Sequence, residues 1–132
     1  MIFTNIVPRV SETDGVGHIN NVFVPIWFEA GRREIFRIFS PNLDFVDWKL
    51  ALVKVTVEYV DQLYLAENVE VRTGIEKIGN SSFTIQEEIH QTNRLCARGQ
   101  AIYVNYNFKE KKSMPMSNEI RHKLESLKFI EK

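Results

Sequence analysis

The segment from Val22 to Phe39 constrains the fold more than any other part of the chain. Val22, Phe23, Val24, Ile26, Trp27, Phe28, Ala30, Ile35, Phe36, Ile38 and Phe39 would cover most of the circumference of one helix. A helix that is apolar nearly all round has to be buried nearly all round. Asn21 suits the N-cap of this helix, with Asn20 the alternative one residue earlier. Pro25 falls in the first turn, where N–H groups have no helical partner to lose. The helix should stop at Ser40-Pro41, because a residue before proline avoids the helical region. Ala30 and Gly31 are small enough to admit close approach, and Arg32, Arg33, Glu34 and Arg37 mark the end that reaches solvent.

What surrounds the helix is read from a change of period. Residues 3–10 read as a first strand, with Pro8 hinting at an edge or a bulge. Ala51, Val53, Val55, Val57 and Tyr59 alternate with Leu52, Lys54, Thr56 and Glu58, which is a period-two strand. Further strands are expected at 69–78, 83–90 and 95–108, separated by the turns Gly79-Asn80-Ser81 and Thr92-Asn93-Arg94. Short turns between such strands imply an antiparallel meander. Ile120, Leu124 and Leu127 share one face of a C-terminal helix over 117–128, capped by Ser117. The sum is a single α+β domain over 1–132, an antiparallel sheet of about five strands curled around a long central helix. One sheet of this size cannot enclose the helix and leaves open edges, so a homodimer or homotetramer is expected.

Seventeen basic residues balance seventeen acidic ones, so nothing draws the chain as a whole to nucleic acid or an anionic membrane. The N-terminus lacks a signal-peptide pattern, and no apolar run is long enough to span a bilayer. The single cysteine, Cys96, has no partner for an internal disulfide and sits in a strand pattern as a small side chain. A soluble cytoplasmic protein is expected. His/Cys/Asp spacings give no metal site.

Polar and glycine residues crowd the approach to the helix: Ser11-Glu12-Thr13-Asp14-Gly15-Val16-Gly17-His18-Ile19-Asn20-Asn21. A helix N-terminus offers unpaired N–H groups and a partial positive charge, which can hold a carbonyl oxygen while a carboxylate works on its carbon. On this reading Asp14 is the nucleophile or general base, and the Asn21 N–H is the oxyanion donor. Gly15 and Gly17 would let the turn bring its backbone close to a substrate. The bland reading is an Asx-turn at Asp14 and a simple N-cap at Asn21. His18 either bonds the turn backbone or contacts substrate. Glu29 is a charge within an apolar helix and needs a partner, from the turn or from a second subunit.

These residues resemble the hot-dog-fold acyl-CoA thioesterases, in the branch of 4-hydroxybenzoyl-CoA thioesterase and the Tol-Pal-type enzymes. The resemblance rests on Thr13-Asp14-Gly15-Val16-Gly17-His18-Ile19-Asn20-Asn21 followed by Trp27-Phe28-Glu29 and Arg32. It is extended by Leu52–Tyr59 and by Ile78-Gly79-Asn80-Ser81-Ser82-Phe83, and covers about residues 4–110. Many members of the Tol-Pal-type branch place a His seven residues after the Asp, whereas this chain has Asn21 there and His18 four residues after. That variant is also similar to acyl-carrier-protein thioesterases. The resemblance implies an acyl-CoA substrate, no cofactor, and catalysis by Asp14 and Asn21. It places Gly17, His18, Glu29, Ser81 and Ser82 in substrate binding, with the two serines on the pantetheine or phosphate portion. A hot-dog domain that binds acyl thioesters without turnover is the alternative from another class.

Overall fold

The computed structural model describes residues 1–131. The elements are β1 (Ile2–Ile6), a 3-10 turn (Val10–Glu12), α1 (Phe23–Gly31), α2 (Arg33–Phe39) and a second 3-10 turn (Phe45–Asp47). They continue with β2 (Leu50–Tyr59), β3 (Val69–Ile78), β4 (Ser82–Gln91), β5 (Arg94–Asn107), β6 (Lys112–Ser113) and α3 (Asn118–Glu125). The main strands lie in the order β1-β3-β4-β5-β2, all antiparallel, and the short β6 pairs with β5. This is the α+β hot-dog architecture, a curled sheet with its helix on the concave side.

The helical segment is two helices. Its first half packs Val24, Trp27 and Phe28 against Val69, Val71, Ile89 and Ala97. The second half packs Ile35 and Phe39 against Ile75, Phe83, Ile85 and Leu124. Between them the chain breaks at Arg32, which was expected to reach solvent but is 2% exposed. Its guanidinium is bonded to both oxygens of Glu87 on β4 and donates to the Tyr103 hydroxyl at 3.0 Å. A buried acid on the sheet has drawn the arginine inward. Burial opposes its charge, but the Glu87 carboxylate outweighs that and raises the guanidinium pKa. Gly31 sets the close approach: a β-carbon there would lie 2.5 Å from Thr73 Oγ1 and 2.8 Å from Val71 Cγ1.

All-round burial of the helix is not achieved within one chain. The α1 helix lies mainly over β1, β3 and β4, with Phe28 reaching Ala97 of β5, and its other flank faces an open groove that Leu52 of β2 also lines. Val22 and Ile26 are therefore 61% and 56% exposed, in a stripe with Ala30 and Glu29.

The face of β2 also differs from its alternation. The pairing with β5 skips Val53, passing from Leu52↔Tyr103 to Lys54↔Ile102. This bulge flips every side chain after it to the other face. Leu50 and Leu52 share a face with Val55, Val57 and Tyr59, whose partners on β5 are Ala101, Gly99 and Ala97. Ala51 and Val53 do not belong to that face.

The first strand ends at Ile6, ahead of Pro8, rather than at residue 10. The last helix is shorter than 117–128, though Ser117 does cap it, its Oγ accepting from the Ile120 N–H at 3.2 Å. The chain after α3 instead covers sheet edge that β1 leaves bare beyond Thr73: Ile75 N–H donates to Leu127 O at 2.8 Å and Phe129 N–H to Ile75 O at 3.0 Å.

Candidate active site

The approach to α1 is a small hairpin. The Asn20 N–H donates to Glu12 O at 2.8 Å, Thr13 bridges Ile19, and the Asp14 N–H donates to His18 O at 2.9 Å. Gly15 and Gly17 close it with φ of +92° and +90°, a region that side chains avoid. A β-carbon on either would meet nothing within 4 Å, so conformation, not room, demands glycine. Asp14 Oδ1 accepts from the Val16 N–H at 3.0 Å, the Asx-turn. Its other oxygen has no partner among the described residues, and the side chain is exposed.

The helix start differs from the expected Asn21 cap. Asn20 Oδ1 accepts from the Val22 N–H at 3.1 Å, and its carbonyl accepts from Phe23 N–H at 3.0 Å. The helix proper begins at Phe23 after Val22, with no side-chain cap, and the Asn20 side chain closes the turn just ahead of it. The Asn21 carbonyl accepts from Val24 N–H at 3.2 Å and from the Tyr59 hydroxyl at 3.0 Å. The Asn21 N–H finds no acceptor among the described residues.

Asp14, His18, Ile19, Asn20, Asn21 and Gln62 line a polar pocket of about 240 Å³. Gln62 comes from the loop after β2, and nothing in its local sequence distinguishes it. That loop is stitched to the hairpin: Ile19 N–H donates to Leu63 O at 2.8 Å, Leu65 N–H to Gly17 O at 3.4 Å, and the His18 ring sits edge-on to Tyr64 at 5.2 Å. From behind, buried Gln91 accepts from Tyr64 N–H at 2.9 Å and donates to Tyr64 O and Glu67 O at 2.7 and 2.9 Å. Arg94 pairs with Asp61 at 2.7 Å and donates to Gln62 O at 3.3 Å.

Asp14, Asn21, His18 and Gly17 are thus gathered at one place, while Glu29, Ser81 and Ser82 are not. Glu29 is exposed and its carboxylate has no hydrogen bond or ion pair among the described residues, so water removes its expected need for a protein partner. It lines a separate, larger groove of about 740 Å³ between α1 and β2, with Ile26, Phe36, Trp48, Leu52 and Tyr103. Ser81 and Ser82 stand at the turn into β4, whereas Gln91, behind the pocket, ends that strand. The rise of a strand separates the two ends by about 30 Å. Their carbonyls hold Asn105 N–H and Gly79 N–H, each at 2.7 Å. His90 is half-buried and pairs with Glu88 at 2.8 Å. Two arginines of the sheet are engaged with acids: Arg72 with Glu70 and Arg98 with Glu58. No group of His, Cys, Asp and Glu among the described residues could hold a metal ion.

A curled antiparallel sheet around a helix defines a hot-dog domain, here with a carboxylate and a backbone amide brought to one pocket at the helix start. The family model of the thioesterase-like superfamily matches residues 8–124. Among solved structures, a predicted thioesterase from Bacillus stearothermophilus superposes with a TM-score of 0.94 at 52% identity, covering 97% of this chain and 96% of that one. A thioesterase from Thermus thermophilus, complexed with coenzyme A and Zn, gives 0.84 at 21% identity over 96% and 92%. A 1,4-dihydroxy-2-naphthoyl-CoA thioesterase from Synechocystis gives 0.81 at 18% identity over 96% of each chain. The last two likenesses concern the fold alone. No curated protein sequence matches the chain. The chain belongs to the thioesterase-like superfamily, and thioester hydrolysis is the chemistry this membership supports.

Proposed function

We propose that the protein hydrolyses acyl-CoA to a free carboxylic acid and coenzyme A. The observation that carries this is the meeting of an unbonded Asp14 oxygen with the unbonded Asn21 N–H on one pocket at the start of α1. The amide and the helix dipole receive the thioester oxygen as it gains charge. Two routes are open to Asp14. It attacks the carbonyl carbon, expelling the CoA thiolate and leaving a mixed anhydride that water then cleaves, or it takes a proton from water as that water attacks. Neither route needs an imidazole at position 21 or a cofactor. His18 lines this pocket, and Gly17 precedes it in the same turn. The coenzyme A bound to the Thermus thermophilus relative supports CoA as carrier.

The working unit on this reading is a homodimer. Edge strand β2 leaves Leu52 and Val55 at 47% and 40% exposure, beside the bare stripe of Val22 and Ile26 on α1. An apolar edge this long associates unless it is covered, and a second copy would also cover the open side of the helix. Ser81, Ser82 and Glu29 could reach a substrate only through such an assembly. A reducing, cytoplasmic setting suits the buried free Cys96.

Purified protein should release thiol from a panel of acyl-CoAs, and Asp14→Ala should largely abolish that release. Full activity in Asp14→Ala would overturn the catalytic assignment. Release from acyl-carrier protein but not CoA would change the carrier, and release from neither would favour a binding domain. A monomer by light scattering at micromolar concentration would contradict the dimer.

A further inference from the structure

Glu12 is 2% exposed although it stands two residues before the exposed Asp14. A carboxylate removed from water needs partners, and those of Glu12 tie the walls of the candidate site together. Its Oε1 accepts from the Arg9 N–H at 2.7 Å. Its Oε2 accepts from the Trp27 indole N–H at 2.9 Å and from Arg9 Nη2 at 3.3 Å. Its carbonyl accepts from the Asn20 N–H at 2.8 Å. One residue thus joins the arm of the hairpin leading to Asp14, the arm leading to Asn21 and the buried flank of α1. Trp27, 3% exposed and packed in the core beneath the hairpin, is a fixed point.

A simpler role would be to finish the 3-10 turn at Val10–Glu12. The bonds to Arg9 already do that, and the Trp27 bond is not needed for it. The hairpin itself closes on two glycines at positive φ and runs into the helix through Asn21 and Val22. The loop at residues 63–65 holds its other side, and the Glu12–Trp27 bond is a side-chain tether from it to the flank of α1.

We infer that Glu12 is a positioning residue: its bond to Trp27 sets the Asp14 carboxylate against the Asn21 N–H. The inference rests on the proposed roles of Asp14 and Asn21 and adds a group that touches neither substrate nor reacting atoms. Catalysis is sensitive to such placement, with a displacement of about 1 Å enough to cost on the order of 100-fold in rate.

Trp27→Phe keeps a ring and removes the donor. Glu12→Gln keeps the shape and an acceptor for the Arg9 N–H, but turns an amide toward Trp27. Each should lower kcat for acyl-CoA by about tenfold or more, with KM nearly unchanged and the folded fraction intact by thermal melt. The double variant should fall no further than the weaker single, because both changes break the same bond. Unchanged kcat in folded Trp27→Phe, or a double variant whose losses multiply, would overturn the inference. Should Glu12→Gln not fold, Trp27→Phe alone decides in the same terms. Full activity in Asp14→Ala would instead remove the catalytic reading. An inactive Asp14→Ala beside fully active Glu12→Gln and Trp27→Phe would remove this inference alone.

Discussion

Asp14 and Asn21 share one pocket because they follow the two arms of a single hairpin, held in register by the bridge between Thr13 and Ile19. The Asp14 carboxylate has one oxygen in an Asx-turn and one free, so the structural and the catalytic readings of this residue coexist in a single side chain.

Asp14→Asn separates them. The amide oxygen can still accept from the Val16 N–H, so the turn should survive and the melting temperature should stay within error. Activity should fall by about 10²- to 10⁴-fold, the span of general acid–base catalysis. Steady-state thiol release checks it, and retained activity would leave Asp14 as a turn residue only.

Gly17→Ala should destabilise by about 1–2 kcal/mol through the positive φ alone, since its would-be β-carbon meets nothing. Gly31→Ala should destabilise for the opposite reason, collision with Thr73 and Val71 in a backbone that alanine accepts. Urea titrations measure both costs. Activity should suffer more from the change at 17, beside the pocket, than its stability cost accounts for.

Removing one member of the Arg32–Glu87 pair leaves a buried charge alone. Arg32→Met should destabilise by about 3–5 kcal/mol, and the double change Arg32→Met with Glu87→Leu should recover much of that loss. Equilibrium unfolding of Arg32→Met, Glu87→Leu and the double variant reads this directly. Additive losses would contradict the pairing.

Gln91 uses its whole carboxamide on the loop that carries Gln62. Gln91→Met leaves Tyr64 N–H and the Tyr64 and Glu67 carbonyls unpaired, at a cost of about 1–3 kcal/mol for a buried group. Amide exchange over residues 62–67 should quicken in the variant while that of β3 stays slow.

The pH dependence follows from Glu12. Burial works against its charge, but hydrogen bonds from Arg9 and Trp27 prevail and hold the carboxyl below its ordinary value of 4.5. The folded state therefore binds this proton more weakly than the unfolded chain does. The contribution to stability is complete above pH 4.5 and is lost as pH falls through the lower folded value. The melting temperature should drop on acidification in this window, and by less in Glu12→Gln, which has no proton to gain.

Strand periods and turn chemistry gave most of the elements close to their observed bounds, β3 at 69–78 among them. The misreadings share one cause. The Val53 bulge, the inward turn of Arg32 and the solvation of Glu29 each depend on what lies opposite, which is Tyr103 and Ile102, Glu87, and open water respectively. The site divided in the same way. The stretch from Glu12 to Asn21 announced itself by glycines and polar residues before an apolar helix. Gln62 did not, because it reaches the pocket only through the pairing of β2, β4 and β5 and the clamps at their ends.

The sequence alone determined the α+β class, the β3-β4-β5 meander and the glycine-rich turn ahead of the helix, and it singled out Asp14 and Asn21 as candidates, because periodicity, glycine and caps act over a few residues. Tertiary structure decided which carboxylates are buried, where the helix breaks, which face of β2 is inside and that Asn21 keeps a free N–H. Those outcomes rest on desolvation and on hydrogen-bond partners far along the chain, and only the folded register brings such partners within reach.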